Sequence, residues 1–242
     1  MQLNIFEDND ALSREAASEI VNTIQKKPNA VICLASGSTP ILTYKYVVEI
    51  IQRDKINIAD VTFIGLDEWL GIPPDNEGSC HYFFQQHLFQ HLRFSASNIY
   101  MFRAMAERPI SECERMDKVI RHLGGIDLML VGIGMNGHIG FNEPGVPFNK
   151  YSHIVDLDET TVSVGQKYFK EATVLNQGIT LGLQHLMETG KVLLLANGEK
   201  KAPIIKQTIE GEISNKVPAS IMRQHPNGII MLDKEAASLI AH

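Results

Sequence analysis

The chain has 242 residues, with 22 lysines and arginines against 28 aspartates and glutamates, so its formal net charge is −6. This acidic balance disfavours a general nucleic-acid binder, which carries a basic stripe, and disfavours attraction to an anionic membrane surface. The first residues lack the basic and apolar regions of a signal peptide, and no apolar run of about 18 residues predicts a transmembrane helix.

Short apolar runs alternate with helical patterns along the whole chain. The runs predicted to form strands are 30–34, 61–66, 126–131, 191–196 and 228–232. Helices are predicted over 11–27, after Pro40, and over 111–123, 200–210 and 234–241. Continuously apolar strands are typical of parallel strands that are buried on both faces. The alternation predicts one α/β domain over 1–242, with a single doubly wound, mainly parallel sheet (Rossmann-like) and helices on both faces.

The stretch 136–177 is the least regular part of the chain, and contains Gly140, Pro144, Gly145 and Pro147. A long loop inside a compact domain is commonly a binding loop or a lid, so this stretch is predicted to be a long active-site loop. Ligands of open α/β sheets bind beyond the carboxyl ends of the strands. The residues that follow each apolar run are therefore the candidates for function.

The first predicted strand leads into small and hydroxylated residues, in the order Ala35-Ser36-Gly37-Ser38-Thr39-Pro40. Small residues allow a ligand to approach the backbone, and the start of a helix presents N–H donors and a positive dipole. The segment is suited to hold a phosphate, although it lacks the spacing and the lysine of a Walker loop. An ordinary strand–helix turn with capping serines is the alternative.

Two adjacent carboxylates, Asp67 and Glu68, follow the second predicted strand and precede Trp69. A carboxylate that is partly buried at the mouth of a sheet can have a pKa close to working pH and act as a general base. The alternative is an aspartate that caps a turn beside a solvated glutamate. Trp69 is expected to pack rather than to react.

A glycine-rich segment, Gly132-Ile133-Gly134-Met135-Asn136-Gly137-His138-Ile139-Gly140-Phe141-Asn142-Glu143-Pro144-Gly145, follows the third predicted strand. Its start matches GxGxxG, but the glycines and prolines that follow leave no room for the helix that a dinucleotide site requires. An active-site loop is favoured instead. It would bring Asn136, His138 and Glu143 together with Asp67, because a histidine oriented by a carboxylate exchanges protons near neutral pH.

Lysines and histidines elsewhere are weaker candidates. Lys200 and Lys201 stand at the start of a predicted helix, where basic groups oppose the helix dipole, so an anionic ligand would relieve the misfit. Two solvated surface lysines are the alternative. A predicted helix contains His81, His87 and His91, of which only the last two share a face, so no metal site is predicted.

Three widely spaced cysteines form no CxxC pair; they are Cys33, Cys80 and Cys113. An odd number without metal-ligand spacing favours small core residues in a reduced, cytoplasmic protein.

The segments 36–40, 66–69 and 136–145 together resemble the amino-sugar-phosphate deaminase/isomerase family, in the same order and over nearly the whole chain. This family includes glucosamine-6-phosphate and galactosamine-6-phosphate deaminases. The resemblance implies an aldose–ketose isomerisation of a hexosamine 6-phosphate, without cofactor or metal, coupled to the release of ammonia.

The resemblance also implies roles for individual residues. His138 would open the sugar ring with the support of Glu143 and Asn136, and Asp67 would move a proton from C2 to C1. The phosphate would be held by Ser36, Gly37, Ser38, Thr39 and Lys201, with Lys167 close by.

Three departures from the family concern the choice of substrate. Asn136 stands where some members carry aspartate. Lys150-Tyr151-Ser152 stands where the glucosamine branch commonly has Ser-Arg-Thr, and Lys167 stands where that branch has an arginine, which binds phosphate bidentately. The stretches 27–34 and 178–183 are closer to the galactosamine branch, which is therefore favoured. A 6-phosphogluconolactonase-type hydrolase on the same fold and a non-catalytic sugar-phosphate sensor are the alternatives. A small molecule is the expected partner, and a homo-oligomer is left open.

Overall fold

The computed structural model describes residues 1–241, so His242, the last residue of the predicted domain, lies outside it. The strands are β1 (Gln2–Phe6), β2 (Val31–Leu34), β3 (Thr62–Gly65), β4 (Asp67–Trp69), β5 (Ile99–Tyr100), β6 (Leu128–Gly132), β7 (His153–Asp156), β8 (Gln177–Thr180), β9 (Lys191–Ala196) and β10 (Gly228–Asp233). The α-helices are α1 (Asn9–Lys26), α2 (Ile41–Arg53), α3 (Cys80–Phe84), α4 (Pro109–His122), α5 (Glu159–Gly165), α6 (Leu183–Glu188) and α7 (Ala202–Glu210).

The main sheet is parallel throughout and has seven strands in the order β1-β10-β9-β6-β2-β3-β5. From β2 the chain builds outward through β3 to β5, and then returns to the other side of β2 to place β6, β9 and β10. The order therefore reverses between β2 and β6, which pair with Ile32 opposite Leu128. The predicted α/β class with a mainly parallel sheet is confirmed, and such a reversal is where ligands bind in this class.

Side chains alternate between two cores, one on each face of the sheet. In β2, Ile32 and Leu34 belong to the core that contains α1 and α2, whereas Cys33 belongs to the core that contains α4 and α7. Each buried aliphatic side chain contributes about 1.5–3 kcal/mol relative to exposure. Burial on both faces explains why these strands have continuously apolar sequences, and it confirms the prediction of helices on both faces.

A second, antiparallel sheet of three strands, β4-β8-β7, lies beside the main one, so the prediction of a single sheet is wrong on this point. The chain changes sheets at Leu66. The Leu66 N–H donates to the Leu34 carbonyl in the main sheet, while its carbonyl accepts from Leu181 just after β8. The predicted strand 61–66 consequently continues into β4, which carries Asp67 and Trp69 away from the main sheet.

The helix predicted over 234–241 is wrong, because residues 234–239 form turns. The Asp233 carboxylate accepts the N–H of Ala236 at 2.8 Å, and Ser238 and Ile240 donate to carbonyls three residues back. These i to i+3 bonds make tight turns rather than a continuing α-helix.

The stretch 136–177 is less irregular than predicted. It contains β7, α5 and a 3₁₀ turn at Gln166–Tyr168, while residues 136–152 are the loop that was expected. The side chain of Asp158 caps α5 by accepting the Thr160 N–H at 2.9 Å. The strand β1 was not predicted, because its polar and apolar residues do not form an apolar run.

Other expectations concern membranes and cysteines. In the part of the chain that the structure describes, no helix is long and apolar enough to span a bilayer. Cys33, Cys80 and Cys113 are free thiols and are buried, as their number and spacing predicted.

Candidate active site

A cavity of about 570 Å³ lies at the carboxyl ends of β2 and β6, where the strand order reverses. The predicted site residues that line it are Ser36, Gly37, Ser38, Thr39, Asp67, Asn136, His138, Lys167 and Lys201. Glu143 lies behind His138 and contacts it. The structure therefore brings all the predicted residues to one place. Most of them follow strands of the parallel sheet, which end at the same edge, whereas Lys167 comes from the turn after α5.

The segment after β2 forms one wall of the cavity and leads directly into α2. Gly37 has a φ of +113°, a conformation that favours glycine. A Cβ at Gly37 would lie 3.4 Å from the Tyr168 hydroxyl, so the loop and this hydroxyl approach each other closely. Backbone N–H groups at a helix start, together with serine and threonine hydroxyls, supply donors for an anion.

Two lysines give this wall its positive charge. Lys167 Nζ donates to Ser38 Oγ at 3.4 Å and lies 4.9 Å from the centre of the Tyr168 ring. Lys201 Nζ donates to the Ile133 carbonyl at 2.5 Å. Burial, followed by repulsion from Lys167, lowers the pKa of Lys201 from 10.5 to about 8. The charge of a bound anion would offset both effects, so this is a candidate anion site in an acidic protein.

The two adjacent carboxylates point to opposite faces of β4. Glu68 is 2% exposed, and its oxygens accept the N–H groups of Trp69, Cys80 and His81, each at 2.9 Å. Glu68 therefore caps the start of α3 from within the protein. The alternative considered from sequence, an aspartate cap beside a solvated glutamate, is wrong for Glu68, which is buried. Asp67 is the carboxylate that reaches the cavity.

Asp67 is 7% exposed and has an unusual pKa. Burial, followed by the charge of Glu68, raises this pKa from its ordinary 3.8 to about 7, against a smaller lowering by the Cys80 thiol. Cys80 Sγ lies 3.7 Å from Asp67 Oδ1 and accepts a hydrogen bond from Ser36 Oγ at 3.0 Å. A carboxyl group with a pKa near neutral can both take up and release a proton at working pH.

The glycine-rich loop after β6 holds His138 against Glu143. His138 Nδ1 lies 3.1 Å from Glu143 Oε2, and Asn136 Nδ2 donates to the same oxygen at 2.8 Å. A Cβ at Gly134 would overlap the other edge of the imidazole ring, so only glycine leaves the ring room there. Burial by itself would raise the pKa of Glu143. The hydrogen bond and charge of His138, together with hydrogen bonds from Thr161 and Asn136, outweigh burial and hold this pKa below its usual value.

Sequence reasoning missed three residues of the site. Thr161 Oγ1 lies 3.0 Å from His138 Nδ1, the Tyr168 hydroxyl faces Gly37, and Cys80 contacts Asp67. The three come from α5, the turn after it and α3, elements distant in sequence from the residues that they contact. No local motif could have indicated them.

The structure also bears on the readings that sequence disfavoured. Residues 133–152, all of which are described, form turns and loops rather than the helix of a dinucleotide site. Over residues 1–241, no group of three or more histidine, cysteine, aspartate or glutamate side chains is placed to hold a metal ion. Trp69 packs at 4.6 Å from the Phe141 ring, in line with a packing role.

Comparisons with known proteins agree with this geometry. Residues 7–231 match the family described as glucosamine-6-phosphate isomerases/6-phosphogluconolactonase. The chain is 41% identical over 241 residues to the glucosamine-6-phosphate deaminase of Thermoanaerobacter pseudethanolicus, covering 99% of this chain and 95% of the relative. It is 42% identical over 241 residues to the deaminase of the same name from Clostridium botulinum strain Eklund 17B, covering 99% and 97%.

Solved structures give the same picture. A monomeric glucosamine-6-phosphate deaminase superposes with a TM-score of 0.96 at 35% identity, covering 99% of this chain and all of that one. The 6-phosphogluconolactonase of Trypanosoma brucei superposes with a TM-score of 0.79 at 20% identity, covering 99% and 98%. The second likeness shows a shared fold alone.

Proposed function

The chain belongs to the family of glucosamine-6-phosphate isomerases and 6-phosphogluconolactonases, and on that premise we propose that it converts glucosamine 6-phosphate to fructose 6-phosphate and ammonia. The observation that carries the proposal is the pairing, in one cavity, of a carboxyl group whose pKa lies near neutral with an imidazole that is held by a carboxylate. Isomerisation with loss of ammonia requires both groups, since one opens the ring and the other moves a carbon-bound proton.

The first step is opening of the sugar ring by His138. Its Nδ1 is engaged by Glu143 at 3.1 Å, which leaves Nε2 to take the proton of the C1 hydroxyl and return it to the ring oxygen. The C1–ring oxygen bond breaks as the C1 carbonyl forms. Glu143 remains ionised throughout, because hydrogen bonds hold its pKa low in spite of burial.

Asp67 then moves the proton on carbon. In its ionised form it removes the C2 proton, while the ammonium group of the substrate gives a proton to the C1 carbonyl oxygen, so that a neutral enolamine forms. Return of the proton from Asp67 to C1 leaves an iminium at C2; water adds there, and the nitrogen departs as ammonia together with one proton as the C2 carbonyl forms. A carboxylate with a pKa near 7 is matched to this two-way transfer.

The phosphate is assigned to the wall after β2. The proposed ligands are Ser36, Gly37, Ser38, Thr39, Lys167, Lys201 and, in addition to those predicted from sequence, the hydroxyl of Tyr168. A dianion at this position gains backbone donors and two point charges.

Glucosamine 6-phosphate is proposed because the curated relatives carry that substrate in their names. The galactosamine branch favoured by the sequence is not confirmed. A cytoplasmic location stays a prediction, and the oligomeric state stays open; the solved deaminase at 35% identity is described as monomeric.

An ammonia-release assay tests the function. Purified protein is incubated separately with glucosamine 6-phosphate, galactosamine 6-phosphate and 6-phosphogluconolactone. We expect ammonia and fructose 6-phosphate from the first, with a higher kcat/KM than for the second. Preferred turnover of galactosamine 6-phosphate would overturn the substrate, hydrolysis of the lactone alone would identify a lactonase, and binding without turnover would identify a sensor.

A further inference from the structure

We propose that Thr161 is a positioning residue for His138, and that α5 couples the alignment of this histidine to the binding of the substrate phosphate. The inference rests on the proposed function and deepens it. It adds a role to a hydroxyl that otherwise serves the ring-opening step only through its hydrogen bond to Glu143.

The Thr161 hydroxyl lies inside the cluster around His138. Its side chain is 5% exposed, and Oγ1 is 3.0 Å from His138 Nδ1 and 3.4 Å from Asn136 Nδ2, which donates to it. His138 Nδ1 therefore faces two acceptors, the hydroxyl at 3.0 Å and Glu143 Oε2 at 3.1 Å. Two acceptors on the same side define the rotation of the imidazole ring more narrowly than one does.

The amide at position 136 makes this hydroxyl more important. Asn136 is neutral, so Glu143 is the charged partner of the imidazole, and Thr161 and Asn136 complete the cluster with neutral groups. Without the hydroxyl, Nδ1 keeps one acceptor, and Asn136 Nδ2 loses its contact with Thr161.

The position of Thr161 is set by the packing of α5. Gly165, at the other end of this helix, lies so close to the Trp69 ring that a Cβ would come within 2.7 Å of it. Asp158 caps the first turn. The helix is thus held between its cap and Trp69, with Thr161 directed at the histidine.

The same segment continues directly into the phosphate wall. The 3₁₀ turn after α5 carries Lys167, which reaches Ser38, and Tyr168, whose hydroxyl faces Gly37. Because no loop separates α5 from this turn, a phosphate held by the turn also constrains the position of Thr161. Phosphate binding would therefore align the imidazole as well as hold the sugar.

Two variants test the positioning role. Thr161→Val removes the hydroxyl at nearly constant volume, and Thr161→Ser retains it. We expect Thr161→Val to lower kcat on glucosamine 6-phosphate about tenfold, the equivalent of about 1.4 kcal/mol. KM and the affinity for the open-chain alditol 2-amino-2-deoxyglucitol 6-phosphate should stay within about twofold of wild type, since the alditol has no ring to open. Thr161→Ser should keep at least half of kcat.

Coupling to the phosphate is tested with the substrate in two pieces. Glucosamine without its phosphate is assayed with and without added inorganic phosphate. We expect inorganic phosphate to raise the kcat/KM for glucosamine about tenfold in wild type and not to raise it in Thr161→Val. Equal activation in the two proteins, or none in wild type, would overturn the coupling.

The outcomes separate this inference from the proposed function. Absence of ammonia release by wild-type protein from either hexosamine phosphate would overturn the function. Normal wild-type turnover with an unchanged kcat in Thr161→Val, or with equal losses in Val and Ser, would overturn the role of Thr161 alone. If Thr161→Val does not fold, as judged by circular dichroism, Thr161→Ala carries the same expectations.

Discussion

Replacing Asp67 with asparagine is predicted to abolish ammonia release and, at the same time, to stabilise the folded protein at pH 8. In the unfolded chain this carboxyl group ionises near its ordinary pKa of 3.8, whereas in the folded protein its pKa is about 7. The folded state therefore retains a proton that the unfolded state loses. Stability falls as the pH rises from about 4 to about 7, and the loss remains in full above that range.

The size of this effect follows from the pKa. One pKa unit corresponds to about 1.4 kcal/mol, so the raised pKa of Asp67 destabilises the fold by at most about 4 kcal/mol at pH 8 and by about 2 kcal/mol at pH 5, where only the unfolded chain has lost the proton. Entry of water and small rearrangements reduce both values. An amide of the same shape carries no charge to bury, and we expect Asp67→Asn to gain about 2–4 kcal/mol at pH 8 and about 1 kcal/mol at pH 5.

Urea unfolding followed by circular dichroism, at pH 5 and at pH 8, measures this difference. Asp60→Asn is the matched control, because Asp60 is exposed and its substitution should leave stability unchanged at both pH values. The reasoning is refuted if Asp67→Asn is no more stable than wild type at pH 8, or if its gain is the same at both pH values. Retained ammonia release would show that Asp67 is not the base.

Substitutions at three further positions probe other parts of the cavity. Cys80→Ala removes a hydrogen bond that lowers the pKa of Asp67, so the acid limb of the pH profile of kcat/KM should move to higher pH, and Cys80→Ser should keep it near wild type. The affinity of wild type for inorganic phosphate, measured by competitive inhibition, should fall above about pH 8 as Lys201 becomes neutral. Lys201→Met should bind inorganic phosphate at least about tenfold more weakly at pH 7 and should not show this fall in affinity above pH 8. Gly134→Ala places a methyl group against the His138 ring and should lower kcat about a hundredfold with little change in phosphate affinity; an unchanged kcat would contradict this placement of the ring.

Periodicity located the centre of the fold because the central strands are buried on both faces. The predicted strands 30–34, 61–66, 126–131, 191–196 and 228–232 correspond to β2, β3, β6, β9 and β10 within about two residues. The edge strand β1 was not predicted because none of its residues is fully buried, so its sequence mixes polar and apolar residues. The prediction of a terminal helix was wrong although the composition of the segment suits a helix, because the Asp233 carboxylate binds the backbone in tight turns.

The site was predictable where it depends on the ends of strands. Ser36, Asp67 and His138 all stand just after apolar runs, and parallel strands bring such positions to one edge. The orientation of the two carboxylates was not predictable, because it depends on β4 leaving the main sheet at Leu66. The contact between Thr161 and His138 spans 23 residues and requires the packing of α5, for which spacing in the sequence carries no signal.

Burial alone does not assign the roles of the two carboxylates in this cavity, since Asp67 is 7% exposed and Glu143 is 4% exposed. Their hydrogen bonds separate them. Glu143 receives His138 and Asn136, which hold its pKa low, so it stays ionised and orients the imidazole. Asp67 receives a weak thiol donor and lies beside charged Glu68, so its pKa rises to about 7 and its proton is the mobile one. Their different environments thus shift the pKa values of the two carboxyl groups in opposite directions, so that one group carries a proton and the other stays charged. Ring opening followed by proton transfer on carbon requires one group of each kind.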